Sequence, residues 1–208
     1  MIISGDEAPP TVVVIDDDQS VREALQGLLQ SVALPVELFS SVREFLDSNR
    51  LDAPGCLVLD VRLPGQSGLD FHDDLVKANV PLPVIFISGH ADVPMSVKAM
   101  KAGAVEFLTK PIRQQDLLDA IHRAIEHDRS RREEAQVTAR LRARFDTLTA
   151  REREVMRLVT AGRLNKQVAA EIGISEATVK LHRGQLMRKL GVQSLAELVR
   201  TADKLQLS

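Results

Sequence analysis

The strongest constraint on this chain is an alternation in its first half. Five short apolar runs, Thr11–Ile15, Pro35–Phe39, Cys56–Asp60, Pro83–Ser88 and Glu106–Thr109, are separated by segments whose apolar residues recur at helical spacing. The runs are strand length, and three are rich in β-branched residues. Val21, Leu25, Leu28 and Leu29 form one helical stripe, Phe71 and Leu75 belong to a second, and Met95, Ala99 and Met100 to a third. Strands linked through helices run parallel, and a parallel sheet needs helices on both faces. Five such units predict a doubly wound, five-stranded parallel α/β sheet. Ser20-Val-Arg-Glu23 and Ser41-Val-Arg-Glu44 read as capping boxes that open the first two helices.

The back half has a different pattern. From Arg113 to about Arg144 there is neither Gly nor Pro. A core stripe of Leu117, Leu118, Ile121 and Ile125 gives way to charge from Glu126 to Gln136. No heptad seam is sustained, so this segment reads as a solvated helical linker rather than a coiled coil. Beyond it, Thr149-Ala-Arg-Glu152 and Ser194-Leu-Ala-Glu197 are further capping boxes, and Gly173 separates helical segments at Leu164–Ile172 and Ser175–Leu190. The predicted organisation is therefore an α/β domain over 10–125, a helical, charged linker over 126–144, and a small all-α four-helix domain over 145–208.

Charge divides the chain in the same place. Residues 1–125 carry a net charge of −8 and residues 126–208 a net charge of +6, which points to two domains with different partners. Single-stranded nucleic acid is a poor candidate, since the chain has no Trp or Tyr on which bases could stack. No apolar run approaches the roughly 20 residues of a membrane span. The opening Met1–Glu7 has neither the basic region nor the apolar core of a secretory signal. The single cysteine, Cys56, excludes an internal disulfide framework. The expectation is a cytoplasmic protein without a membrane partner.

The chemistry gathers at the strand ends. Parallel sheets bind ligands at the carboxyl ends of their strands, and here those ends carry Asp16-Asp17-Asp18, Asp60, Ser88 and Thr109-Lys110-Pro111. Clustered carboxylates repel unless a cation sits among them. Mg2+ (or Mn2+) accepts such oxygens and completes its shell with water and phosphate. A carboxylate beside it can act as nucleophile toward a phosphoryl group, with Lys110 and the Ser88 hydroxyl at the phosphoryl oxygens. Taken singly, each residue has a plainer reading, a helix cap or a surface lysine. Their convergence on one face is what carries the chemical reading.

The strings Val-Ile-Asp16-Asp17-Asp18, Leu-Val-Leu-Asp60-Val-Arg-Leu-Pro-Gly, Ile-Ser88-Gly-His and Phe107-Leu-Thr-Lys110-Pro111 resemble the receiver domain of bacterial two-component response regulators. The resemblance covers about residues 11–125. It implies a flavodoxin-like fold in which Asp60 is the phosphoacceptor. Asp16, Asp17, Asp60 and the backbone carbonyl of Arg62 would be the metal ligands. It further implies Ser88 and Phe107 as switch residues, Lys110 paired with the phosphoryl group, and a cis bond before Pro111. Asp18 matches an acidic subclass without binding metal directly. A hydrolase of the haloacid-dehalogenase type would want an acid two residues after its nucleophile, but position 62 is Arg, and no cap insertion is present.

In the back half, Gly173 can supply a left-handed turn and Ser175 a cap, giving a helix-turn-helix. Val179, Leu186 and Leu190 share one stripe of the second helix, and Lys180, Leu181, Gly184, Gln185 and Arg188 lie largely on another face. Leu148-Thr-Ala-Arg-Glu152, Asn165-Lys166-Gln-Val-Ala169, Thr178-Val-Lys180-Leu-His182 and Lys189-Leu190-Gly191 resemble the LuxR-type module over about 145–208. That resemblance implies base reading by Lys180, Leu181 and position 184, and phosphate contacts by Thr178, Lys166 and Lys189. His182 is spaced for packing, and Arg183 for phosphate or solvent. Region four of a sigma factor also opens Arg-Glu-Arg-Glu, but the Thr-Val-Lys-Leu-His spelling favours the LuxR type.

Together the two resemblances point to the FixJ/NarL class, nearer FixJ. They imply a transcription factor phosphorylated by a histidine kinase, with no enzymatic activity beyond self-directed phosphoryl acceptance and slow autodephosphorylation. Its expected partners are double-stranded promoter DNA, RNA polymerase and, when phosphorylated, a second copy at the face of helix 4 (about Pro94–Ala102) and strand 5. A constitutive DNA-binding protein with a purely structural receiver is the contrasting expectation.

Overall fold

A computed structural model describes residues 9–90 and 92–205; the opening segment Met1–Glu7 lies outside them. The chain divides into two compact units, one through Arg131 and the other from Arg132.

The first unit is a parallel sheet of β1 (Thr11–Ile15), β2 (Val36–Phe39), β3 (Gly55–Asp60), β4 (Val84–Ser88) and β5 (Glu106–Thr109) in the order β2-β1-β3-β4-β5. Helices α1 (Gln19–Ser31), α2 (Val42–Asp47), α3 (Gly68–Lys77) and α4 (Val93–Lys101) alternate with the strands, and α5 (Gln114–Asp146) follows β5. Side chains alternate across a strand, so each core strand feeds two cores. Val13 and Ile15 pack with Phe45, Leu57, Leu59, Phe71 and Phe86, on the side of α2, α3 and α4. Val12 and Val14 pack with Leu25, Leu29, Ile85, Leu117 and Ile121, on the side of α1 and α5. Strand order reverses between β1 and β3, the point where such sheets bind ligands.

The capping signals are partly redrawn. Helix α1 starts before Ser20, because Asp18 is its N-cap and accepts from the Ser20 amide at 2.8 Å. Ser41 caps α2 as expected, but the Glu44 carboxylate returns to the Ser40 amide. Glu197 likewise accepts from the Gln193 amide, and from the Ser194 hydroxyl rather than its amide. Only Thr149 and Glu152 make the full reciprocal box.

The boundary read at residue 125 also shifts. The buried stripe of α5 runs Leu117, Ala120, Ile121, Ala124 and then Asp128, which is 2% exposed. The Asp128 carboxylate accepts from the Gly55 amide at 3.0 Å and from the Arg131 guanidinium at 2.6 Å. Gly55 lies at φ +140°, and a Cβ there would overlap the Thr11 carbonyl. The first unit therefore continues one full helical turn past the last apolar residue of its stripe, through a carboxylate that sequence periodicity counts as solvated.

The second unit comprises the end of α5 with α6 (Ala150–Thr160), α7 (Asn165–Ile172), α8 (Glu176–Leu190) and α9 (Leu195–Lys204). Val155, Leu158, Val168, Val179, Leu186, Leu190 and Leu198 form its core. Gly173 closes α7 in the left-handed conformation, and Ser175 caps α8 by accepting from the Thr178 amide. Among the described residues no helix is long and apolar enough to cross a membrane.

Replacing Asp128 by Ala strands the buried Gly55 amide and frees Arg131. The expected outcome is a loss of about 1–3 kcal/mol from the unfolding transition of the first unit. Urea titration followed by a probe in that unit checks this, and the transition of the second unit should keep its midpoint.

Candidate functional site

The sheet delivers four strand ends to one small site. Asp16 follows β1 and is fully buried; Asp60 ends β3 and is 4% exposed. Asp17 is exposed. One donor oxygen from each of Asp16, Asp17 and Asp60 lies within 4.8 Å of the others, an all-oxygen set suited to a hard divalent cation. Asp18, the third acid of the run, is committed to capping α1.

Lys110 holds the buried pair together. Its ammonium is 2.6 Å from Asp16 Oδ2 and 3.1 Å from Asp60 Oδ1. The peptide bond that follows it, to Pro111, is cis. Backbone amides complete the frame, with Asp18 N–H donating to Asp16 Oδ1 at 2.9 Å and Arg62 N–H to Asp60 Oδ2 at 3.1 Å. Burial pushes the Asp60 carboxyl above its usual range, and the Asp16 charge adds to this, against the opposing pull of Lys110 and the Arg62 amide. Burial alone would lower the Lys110 ammonium, but its bonds to Asp16 and Asp60 outweigh that and hold it above its ordinary value.

The two expected switch residues stand beside this cluster. Ser88 is fully buried; its hydroxyl donates to the His90 carbonyl at 3.1 Å and accepts from the His90 amide at 3.3 Å. Phe107 is half-buried, with its ring centroid 6.2 Å from that of Phe86 on the neighbouring strand.

Sequence reasoning missed three supports of the site. Arg22 on α1 donates to the Asp16 carbonyl at 2.6 Å. Gly68 at the start of α3 backs directly onto Asp60, and a Cβ there would overlap the Asp60 carbonyl. His72 is buried edge-on against Phe86, its centroid 5.4 Å away, and burial lowers its pKa. The glycine in Gln-Ser-Gly68-Leu was the one visible signal, since a glycine opening a helix invites a close approach.

In the second unit α8 has two opposed faces. Val179, Leu186 and Leu190 are buried, whereas Lys180, Leu181, Gly184 and Arg188 are exposed, Leu181 at 59%. Lys166 is exposed near the start of α7. The Thr178 hydroxyl lies 2.8 Å from Ser175 Oγ, and Lys180 is 3.4 Å from Glu176 across one helical turn. Arg183 turns toward Asn165 Oδ1 at 3.4 Å, and His182 is half-buried with Nδ1 lacking a partner.

Lys189 also has partners within the unit. Its ammonium is 2.6 Å from Glu152 Oε2, a carboxylate 2% exposed, and 3.3 Å from the Thr147 carbonyl. Covering disfavours the Glu152 charge, but bonds from Lys189 and the Thr149 amide outweigh it and hold the pKa below its usual value. That bond gives Lys189 a structural role within the unit.

Comparison with known proteins agrees with both halves. Residues 12–122 match the response regulator receiver domain, and residues 146–202 match the bacterial regulatory proteins of the luxR family. The chain belongs to the FixJ/NarL-type response regulators. This regulator is 52% identical to nodulation protein W of Bradyrhizobium diazoefficiens over 197 residues, covering 95% of this chain and 87% of that one. It is 40% identical to the transcriptional regulatory protein FixJ of Rhizobium meliloti, over 92% of this chain and 94% of that one. Among solved structures, the response regulator StyR superposes with a TM-score of 0.85 at 47% identity, covering 95% of this chain and 100% of that chain. A receiver joined to a LuxR-type module implies a histidine kinase and DNA as the regulator's partners.

The Glu152–Lys189 pair yields a test. Lys189→Met leaves the carboxylate covered and without its cation, which costs several kcal/mol at a deep site. Glu152 lies shallow in a small unit, so the expected loss is about 1–3 kcal/mol in the second unfolding transition at neutral pH. Because the folded-state pKa of Glu152 is lowered, the stability it contributes is present above its unfolded pKa and is lost as pH falls through the folded value. The gap between wild type and variant should therefore narrow on acidification, as denaturant titrations across that range would record.

Proposed function

We propose that this regulator accepts a phosphoryl group on Asp60 from a phosphohistidine of a histidine kinase, dimerises, and binds promoter DNA to control transcription by RNA polymerase in the cytoplasm. The observation that carries this reading is the buried Asp16–Lys110–Asp60 cluster at the switch point of the sheet.

An Asp60 oxygen attacks phosphorus while the nitrogen–phosphorus bond of the donor breaks, and an acyl phosphate results. Three carboxylates facing one ammonium leave an excess of negative charge, so the donor set fits a divalent cation. Asp16, Asp17, Asp60 and the Arg62 carbonyl would hold Mg2+ (or Mn2+). Bound there, the ion supplies neutralisation of the phosphoryl oxygens. Lys110 exchanges a carboxylate partner for a phosphoryl oxygen. The Ser88 hydroxyl leaves the His90 carbonyl and donates to the phosphoryl group, and Phe107 turns inward behind it. The only chemistry is self-directed, phosphoryl acceptance followed by slow hydrolysis of the acyl phosphate.

These shifts reshape the face of α4 and β5. Val93, Val97 and Met100 there are 75%, 44% and 44% exposed at i, i+4 and i+7, an apolar stripe that a second copy can cover. Dimerisation brings two α8 helices to paired half-sites. Lys180, Leu181 and Gly184 read bases, Arg188 lies on the same face, and Lys166 and Thr178 meet phosphate.

Incubation with magnesium and acetyl phosphate should add one acid-stable, hydroxylamine-labile phosphoryl group, lost in Asp60→Asn. Labelling of that variant at equal stoichiometry refutes the assignment. Ser88→Ala should still be labelled but sediment as a monomer with a beryllofluoride mimic.

On DNA, Lys166→Ala should weaken cognate and random duplex alike and make the salt slope shallower by about 0.9. Lys180→Ala should cost roughly 1–3 kcal/mol on the cognate duplex and narrow the specificity ratio. Anisotropy titrations of both variants on both duplexes at several salt concentrations separate the two roles.

A further inference from the structure

Apart from the exposed face of α8, the second unit carries a cleft of about 200 Å3 lined by Phe145, Arg153, Met156, Arg157, Thr160 and Ala202. Its floor is apolar, formed by buried Met156 and Ala202 and half-buried Phe145. Its rim is cationic. The Arg153 guanidinium is 4.9 Å from the centroid of the Phe145 ring and donates to the Asp146 carbonyl at 3.1 Å, which fixes its position. Arg157 lies one helical turn further along α6, is exposed, and has no partner for its guanidinium among the described residues. Glu154, on the same helix, is held by Arg151 at 2.7 Å.

These features define an occupant. Pockets for drug-sized ligands and cofactors run to about 300–1,000 Å3, so this cleft is suited to one large side chain rather than a small molecule. A side chain of that kind in a small pocket is the usual anchor of a protein contact. Two guanidinium groups four residues apart on one helix face favour a carboxylate, which Arg binds in a planar, bidentate manner. DNA fits the rim but not the floor, since a phosphate backbone offers no apolar group, and no residue of α7 or α8 lines the cleft.

We propose that this cleft receives an acidic segment of a protein partner. A large apolar side chain of that segment seats on Phe145, Met156 and Ala202, while an adjacent carboxylate binds between Arg153 and Arg157. The surface is distinct from the base-reading face of α8, so one unit can hold DNA and this segment together.

The test is a selection of random twelve-residue peptides displayed on phage against the immobilised full chain, counter-selected on Arg157→Glu. The expected consensus places Asp or Glu beside Leu, Phe or Met. In anisotropy titrations the consensus peptide should bind Arg157→Ala about tenfold or more weakly than wild type. It should lose comparable affinity when its apolar residue is replaced by Ala, and duplex DNA should leave its binding unchanged. Absence of an acidic–apolar consensus overturns the proposal, as does a consensus peptide indifferent to Arg157→Ala. A third contrary result is Arg157→Ala weakening duplex binding with a shallower salt slope, which would assign the cleft rim to phosphate.

Discussion

The receiver unit depends on one ammonium among carboxylates. Parallel strands bring Asp16 and Asp60 side by side at their carboxyl ends, and neither is exposed enough for water to separate their charges. Lys110, arriving from β5 after a separation of 50 residues from Asp60, bonds to both. Burial and the neighbouring Asp16 charge raise the cost of ionising Asp60, and the Lys110 ammonium opposes them. The same arrangement that makes the site foldable suits the proposed phosphoryl acceptance, because it holds a carboxylate near a cation and short of solvent.

The two proposed switch residues are satisfied where they stand. Ser88 is satisfied by the backbone of His90, so its hydroxyl has a stable alternative to any phosphoryl oxygen. A neutral hydrogen bond is worth only about 1 kcal/mol, whereas a bond to a charged group is worth about 1.5–3 kcal/mol. That difference is the right size to bias two arrangements without locking either. Phe107 packs against Phe86, and Phe86 in turn against His72, so movement of the outer ring is felt along a line of side chains reaching α3.

Much of this was legible in the sequence. The alternation of short apolar runs and helical stripes dictated the parallel sheet, and the residues ending those runs named Asp16, Asp60, Ser88 and Lys110. Residues whose role depends on partners far along the chain were not legible. Asp128 reads as one more charge in a solvated stretch, because its partner, the Gly55 amide, is 73 residues away. The bond of Lys189 to Glu152 was not legible because nothing local shows that Glu152 is buried beneath it. Asp18, whose partner is only two residues on, was legible as an acid outside the metal set and is the cap of α1. Periodicity reports which face a side chain takes, but not what waits for it there.

The internal commitments of the second unit bear on how the regulator moves through a genome. Lys189 is bound to Glu152, Arg151 to Glu154, Arg144 to the Leu190 carbonyl and Arg183 to Asn165, so the cations free to meet a duplex are fewer than the lysines and arginines of the unit. Each phosphate contact forgone weakens attraction to random sequence and shortens the dwell there, which speeds release from the vast excess of wrong sites. A single unit of this kind is a fast, forgetful searcher. In the proposed dimer, long occupancy comes from two units tethered together, whose joint grip rises with their effective concentration rather than with the charge of either one.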